Sequence, residues 1–147
     1  MADVAPLADA PLHCVVVTPE STVIDTPAEF VALPLYDGEV GIAPGRAPLI
    51  GRLGYGELRI RPPGDSVIHM YVDGGFVQVV DNVVSVLTNR AIPAHLIDAP
   101  VAIEQLRTAL TSHATGPQEM AIRDRLVSQA RGQIRVYRRT ALHTATL

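Results

Sequence analysis

Y-D-G-E-V-G-I-A-P-G-R-A-P-L-I, from Tyr36 to Ile50, holds three glycines (Gly38, Gly41, Gly45) and two prolines (Pro44, Pro48). Strand-like apolar residues, Val40, Ile42, Leu49 and Ile50, stand between them. Glycine opens backbone angles closed to other residues, and proline fixes φ while removing a donor. This spacing predicts short edge strands joined by tight turns at one end of a β-domain, and it excludes a helix. The polar groups on offer, Asp37, Glu39 and Arg46, are few and of mixed sign. They suit contacts on a docking surface better than a catalytic pocket.

On either side the chain continues as strands. Leu12–Thr18 is apolar and ends at Pro19, Thr22–Asp25 continues it, and Ala28–Leu35 gives another strand with Phe30, Ala32 and Leu33 inward. Leu58 and Ile60 alternate with Glu57, Arg59 and Arg61, the period-two mark of a half-buried strand. Pro62-Pro63-Gly64-Asp65 makes a turn, Ser66–Val72 returns as a strand, and Asp73-Gly74-Gly75 breaks it before Phe76–Val80. Asp81-Asn82 between two valine-rich runs predicts a two-residue hairpin leading into Val83–Thr88. About eight short strands without an intervening helix argue a β-sandwich or flattened barrel. With no Trp and aromatics at 4%, its core must be aliphatic.

Past Thr88 the pattern changes. Asn89–Ile97 contains Pro93 and connects. Asp98 can cap a helix that tolerates Pro100 in its first turn, with Ala102, Leu106, Ala109 and Leu110 as its stripe. Thr115-Gly116-Pro117 ends that helix and starts another. In the second helix Met120, Leu126, Val127, Ala130, Ile134 and Tyr137 form one face, and Arg123, Asp124, Arg131, Arg135 and Arg138 the other. The fold class expected is therefore α+β, an N-terminal antiparallel β-sandwich followed by a C-terminal antiparallel two-helix hairpin. The segments are a flexible arm (1–11), the sandwich (12–88), a connector (89–98), the hairpin (99–140) and a tail (141–147). Alanine fills much of the hairpin's apolar seam and buries little area, which predicts weak docking and a candidate switch.

Composition removes several kinds of chemistry. All twelve basic residues are arginine, so a Walker-type phosphate loop and Schiff-base catalysis are excluded. His13 and Cys14 are neighbours on a strand and point to opposite faces, and no histidine spacing fits zinc, so no metal is expected. Gly51, Gly54 and Gly56 are not ordered as a dinucleotide fingerprint, and no serine sits in G-x-S-x-G. Asp37 and Glu39 read as solvated turn carboxylates. One cysteine excludes an internal disulfide and suits a reducing compartment. No apolar run approaches the ~20 residues of a spanning helix, and the acidic, proline-rich start is not a secretory signal. Residues 1–98 hold twelve acids and five arginines, residues 99–147 three acids and seven arginines. An acidic front joined to a basic tail suggests two segments with different partners. A net charge of −3 without a stacking pattern argues against nucleic acid. The arginine face of the second helix is either a solvated face or a surface for an acidic protein.

G-E-V-G-I-A-P-G-R-A-P-L-I (38–50), Y-V-D-G-G-F-V-Q-V (71–79), V-V-S-V-L-T-N-R-A-I (83–92) and Q-I-R-V (133–136) together resemble the epsilon subunit family of F-type ATP synthases, delta in mitochondrial naming. The resemblance covers about residues 12–140. It implies a non-catalytic subunit of the central rotor stalk, without a cofactor, that helps couple ion translocation to ATP synthesis. The sandwich would grip the gamma subunit and rest on the ring of membrane c-subunits. The hairpin would extend along gamma into the catalytic head of alpha and beta subunits and restrain ATP hydrolysis. The protein would lie peripherally on the cytoplasmic face of the cell inner membrane, held there only through the complex. Glu39 and Arg46 match the ring-contacting loop, and Arg123, Arg131, Arg135 and Arg138 match the basic face that meets an acidic segment of the beta subunit. One position departs. Some bacterial members bind ATP through I/L-D-x-x-R-A, which here reads Ile97-Asp98-Ala99-Pro100-Val101-Ala102. Valine in place of arginine implies weak or no ATP binding. The alternative to this reading is a stand-alone β-sandwich module for a small ligand, capped by the helices.

Overall fold

The computed structural model describes residues 8–145, with side chains to residue 142. Most of the arm expected over 1–11 lies outside them. Among the described residues eight strands precede the helices: β1 (Leu12–Val17), β2 (Thr22–Ala28), β3 (Phe30–Leu35), β4 (Gly38–Ile42), β5 (Leu49–Arg61), β6 (Ile68–Val80), β7 (Val83–Leu87) and β8 (Ala91–Pro93). Their order is β2-β1-β7-β6-β5-β3-β4, with β8 on β6. Pairing is antiparallel except between β1 and β7. The sandwich is thus mostly antiparallel, as expected, with this one parallel pair. β7 leaves the Asp81–Asn82 turn at the end where β1 begins, and the His13 N–H donates to the Asn82 carbonyl at 2.8 Å.

β5 and β6 explain how one ladder makes two layers. They pair from Leu49↔Val79 to Ile60↔Ile68, longer than a single layer needs. The later half of β5 and the earlier half of β6 join β3, β4 and β8; the other halves join β7, β1 and β2. The changeover falls at Gly74–Gly75, so these glycines do not break the strand as expected from sequence. They let it turn. Gly75 has φ 109°, and a Cβ there would lie 1.9 Å from the Leu87 carbonyl oxygen. Only glycine fits that approach.

Between the layers lies an aliphatic core including Leu12, Val16, Val31, Leu33, Leu58, Ile60, Val77, Val79, Val84 and Val86. β1 follows the alternation expected, with Cys14 fully buried and His13 half-buried. Burial pushes the Cys14 thiol up to about 12. The Asp81–Asn82 turn has φ of 49° and 64°, both left-handed, as a type I′ hairpin requires.

After β8 a 3₁₀ turn (Ala94–Leu96) leads to α1 (Ala99–Thr111) and α2 (Pro117–Ala145). The connector thus carries a strand and a turn of its own, and the second helix runs on through residue 140 into the segment read as a tail. Asp98 caps α1 as expected: its Oδ1 accepts from the Val101 N–H at 3.2 Å. Glu119 accepts from the Thr115 N–H at 2.9 Å at the start of α2.

α2 packs on two sides, against α1 and against β5 and β6. Its expected apolar face is therefore divided. Ala130 and Ile134 are buried, while Met120, Leu126 and Tyr137 remain exposed. Gln133 and Val136 are buried instead. Val136 joins Tyr71, Ala94 and Ile97 in a second small core, with Tyr55 and Ile92 packed against it. At Gly132 the helix lies so close to the sheet that a Cβ would stand 2.8 Å from the Tyr55 carbonyl oxygen. The helix is seated on the sandwich by close approach, not by an alanine seam alone.

Candidate functional site

The signature stretch folds largely as its punctuation predicts. β4 is the last strand in the order, a turn spans residues 43–48, and β5 opens at Leu49. Glu39 lies on β4 and Arg46 in the turn, both exposed. The structure gives them different neighbours. Glu39 Oε1 accepts from Arg59 Nη2 at 2.7 Å, whereas Arg46 has no ion pair among the described residues. The turn itself is fastened from elsewhere: the Gly45 N–H donates to Asn82 Oδ1 at 2.8 Å.

Glu57 was expected to face solvent with Arg59 and Arg61. Instead it is buried, because α2 crosses that face of β5. Its Oε1 accepts from Arg59 Nη1 at 3.1 Å and from Arg139 Nη1 at 3.5 Å, and its Oε2 lies 3.8 Å from His69 Nδ1. Burial works against the Arg59 cation, but Glu39 and Glu57 outweigh it and raise its pKa. A second buried carboxylate, Asp73 on β6, accepts from the Tyr71 hydroxyl at 2.8 Å and from Gln129 Nε2 of α2 at 3.2 Å. Burial and then the Asp73 charge raise the Tyr71 pKa. Both carboxylates hold the second helix, and neither was legible as a functional residue. Among the arginines of α2, Arg139 and Arg125 also lie outside the face read from the sequence.

The four arginines expected on one helix face separate. Arg131 and Arg135 join Arg125 and Arg139 along a cleft between α2 and the sandwich, opposite Tyr36, Arg52 and Glu57. Arg123 lies 3.5 Å from Asp124 and is partly buried, and Arg138 does not line the cleft. On the outer face of β5, β6 and β7, Ile50, Phe76, Val80, Val83 and Leu87 are exposed on paired strands. Arg52 stacks over the Tyr36 ring at 4.5 Å beside them. Among the described residues no three His, Cys, Asp or Glu side chains gather as metal ligands would. His13 bonds Asp25 across β1 and β2. Nor is any helix among the described residues long and apolar enough to cross a membrane.

A two-layer sandwich carrying a seated helical hairpin, with arginines of α2 along the cleft between them, defines the class of fold. Residues 11–94 match the family described as ATP synthase, Delta/Epsilon chain, beta-sandwich domain. The chain belongs to this family. It is 51% identical over 127 residues to the ATP synthase epsilon chain of Rhodopirellula baltica, covering 86% of this chain and 98% of that one. Its fold is like a chain in the Euglena gracilis mitochondrial ATP synthase structure of OSCP, F1 and c-ring (TM-score 0.78, 19% identity, 97% of this chain and 88% of that one). It is also like a chain in the Tetrahymena thermophila mitochondrial ATP synthase central stalk and c-ring (TM-score 0.68, 14% identity, 86% and 96%).

Proposed function

We propose that the protein is a non-catalytic subunit of the rotor stalk of an F-type ATP synthase, at the cytoplasmic face of the cell inner membrane. The observation that carries this reading is the 51% identity to an epsilon chain along 98% of that relative's length. The sandwich binds the gamma subunit and rests on the c-ring, with Glu39 and Arg46 at the ring. The uncovered apolar strip of Ile50, Phe76 and Leu87 suits an obligate partner such as gamma, because exposed apolar area of this kind favours burial in an interface.

The hairpin is the part that restrains ATP hydrolysis. In the docked position Arg131 and Arg135 line the cleft beside the sandwich. When α2 leaves it, Arg123, Arg131, Arg135 and Arg138 are available to an acidic segment of the catalytic head, where arginine pairs well with carboxylates. Val101, exposed on α1, gives a nucleotide no charge to bind, so release is not expected to answer to ATP.

The test is ATPase activity of the gamma-containing catalytic complex with the full chain and with a truncation after Ile97. Both binding, with only the full chain slowing hydrolysis, supports an anchor and a brake. Equal behaviour removes the brake. If neither binds, the stalk assignment fails and a stand-alone binding module takes its place.

A further inference from the structure

The Asp81–Asn82 turn does more than reverse the chain between β6 and β7. Asn82 is buried although it sits at a hairpin tip, with 5% of its surface exposed. Its Oδ1 accepts from the Gly45 N–H at 2.8 Å, and its Nδ2 donates to the Ala10 carbonyl at 3.4 Å. The side chain thus joins two segments remote in sequence, the turn 43–48 and the stretch preceding β1. They also touch each other: a Cβ at Gly45 would meet Ala8 Cα at 3.2 Å. A type I′ turn needs left-handed residues, and Gly or Asp would meet that need as well as Asn. The turn alone does not require an amide. Donating on one side and accepting on the other does.

We infer that Asn82 is a positioning residue for the surface offered to the c-ring. Its amide fixes the turn that carries Arg46 and clamps residues 8–10 against it. The contacting surface is then composite, two segments set by a third, and Arg46 is presented from a fastened backbone. This rests on the reading of Glu39 and Arg46 as ring contacts. Holding the backbone matters here because Arg46 has a long side chain and no ion pair among the described residues. A fixed base limits the freedom lost when a partner orders it.

Two substitutions separate the roles. Asn82→Gly keeps the left-handed turn and removes both side-chain bonds. Asn82→Asp keeps an acceptor for Gly45 and removes the donor to Ala10. In the isolated full chain, hydrogen exchange at the Gly45 amide should rise roughly two- to ten-fold in Asn82→Gly, the range one hydrogen bond supplies, and recover in Asn82→Asp. Each variant is then assembled into the complete catalytic complex, and rebinding to membranes stripped of it and coupled ATP synthesis are measured. A Glu39→Ala/Arg46→Ala double variant is the control. Asn82→Gly should bind the soluble head as the parent does, yet lose membrane rebinding and coupling in the same direction as the control, with Asn82→Asp in between. Three results overturn the inference. If the control loses coupling and Asn82→Gly does not, the ring contact stands and Asn82 does not position it. If Asn82→Gly weakens soluble-head binding equally, or leaves Gly45 exchange unchanged, Asn82 serves the fold alone. If the control itself is unaffected, the ring-contact reading fails and this inference falls with it.

Discussion

Arg139 of α2 stands 3.5 Å from the buried carboxylate of Glu57 on β5, across 82 positions of sequence. The acidic front and basic tail of the chain therefore meet within one molecule. Glu57 also keeps Arg59 at 3.1 Å, so it would not be stranded if α2 moved away. Asp73 would likewise lose Gln129 with the helix but keep the Tyr71 hydroxyl at 2.8 Å and Arg90 Nε at 3.7 Å. A buried carboxylate is tolerable only while hydrogen-bonded, which makes these two residues sensitive points of the docked state.

Because Arg139 is about half exposed, its pair with Glu57 is a partly screened one. Arg139→Ala should loosen α2 by less than about 1 kcal/mol, and the coupling in a Glu57→Gln/Arg139→Ala cycle should shrink as salt is added. Glu57→Ala should cost more, about 1–3 kcal/mol, since it also leaves Arg59 half-partnered. Hydrogen exchange along α2, compared with the core strands, measures both. Equal loss of protection in helix and strands would mean that Glu57 serves the sandwich and not the seat of the helix.

Gly132 gives a prediction in which two effects oppose. Alanine is the better helix former by about 1 kcal/mol. Its Cβ, however, would meet the Tyr55 carbonyl oxygen at 2.8 Å and the Tyr71 ring at 3.0 Å. The carbonyl belongs to a central strand and cannot yield cheaply, so the contact wins. Gly132→Ala should raise helicity in a peptide of α2 while making α2 in the whole protein more open to proteolysis. Under the proposed restraint of hydrolysis by the hairpin, Gly132→Ala in the catalytic complex should slow hydrolysis further. Unchanged protection of α2 would show that the seat has slack.

What the sequence made legible follows from local rules. The punctuation of Tyr36–Ile50, the Asp81–Asn82 turn and the Asp98 cap each depend on a few neighbouring residues, and each forms where expected. Gly74–Gly75 misled because a glycine pair in a strand signals either a stop or a close backbone approach, and the Leu87 carbonyl that decides the matter is remote in sequence. Glu57 misled for a related reason: its alternation with Leu58 is that of a solvent face until a helix from the other end of the chain covers it. The face of α2 was misread because one helix serves two neighbours. Leu126 and Tyr137 follow a single stripe, but Gly132 and Val136 meet the sheet on another.

The turn glycines can be told apart by experiment. Gly75→Ala places a Cβ 1.9 Å from the Leu87 carbonyl oxygen at φ 109°, and should cost more than about 3 kcal/mol or prevent folding. Gly64→Ala, at φ 67° with open space around it, should cost only about 1 kcal/mol of backbone strain. Chemical denaturation of the two variants checks the order. Similar values would mean that the sheet turns elsewhere than at Gly74–Gly75.

Alkaline stability should depend on two buried acids. The folded state holds the Cys14 thiol up to about 12 against an ordinary 9.0, through burial, and raises Tyr71 above its ordinary 10.0 through burial and then Asp73. Above these ordinary values the unfolded chain releases protons that the folded chain keeps. Stability is therefore full below pH 9 and falls as pH rises, by up to about 1.4 kcal/mol per pH unit for each group. Cysteine begins the fall, and tyrosine joins it above pH 10. Cys14→Val keeps an apolar residue of similar size on β1 and removes the first contribution. Its stability should stay level between pH 9 and 10, where the parent declines, and fall only beyond. The slope of unfolding free energy against pH in urea is the measurement. An unchanged slope between pH 9 and 10 would place the titrating group elsewhere than Cys14.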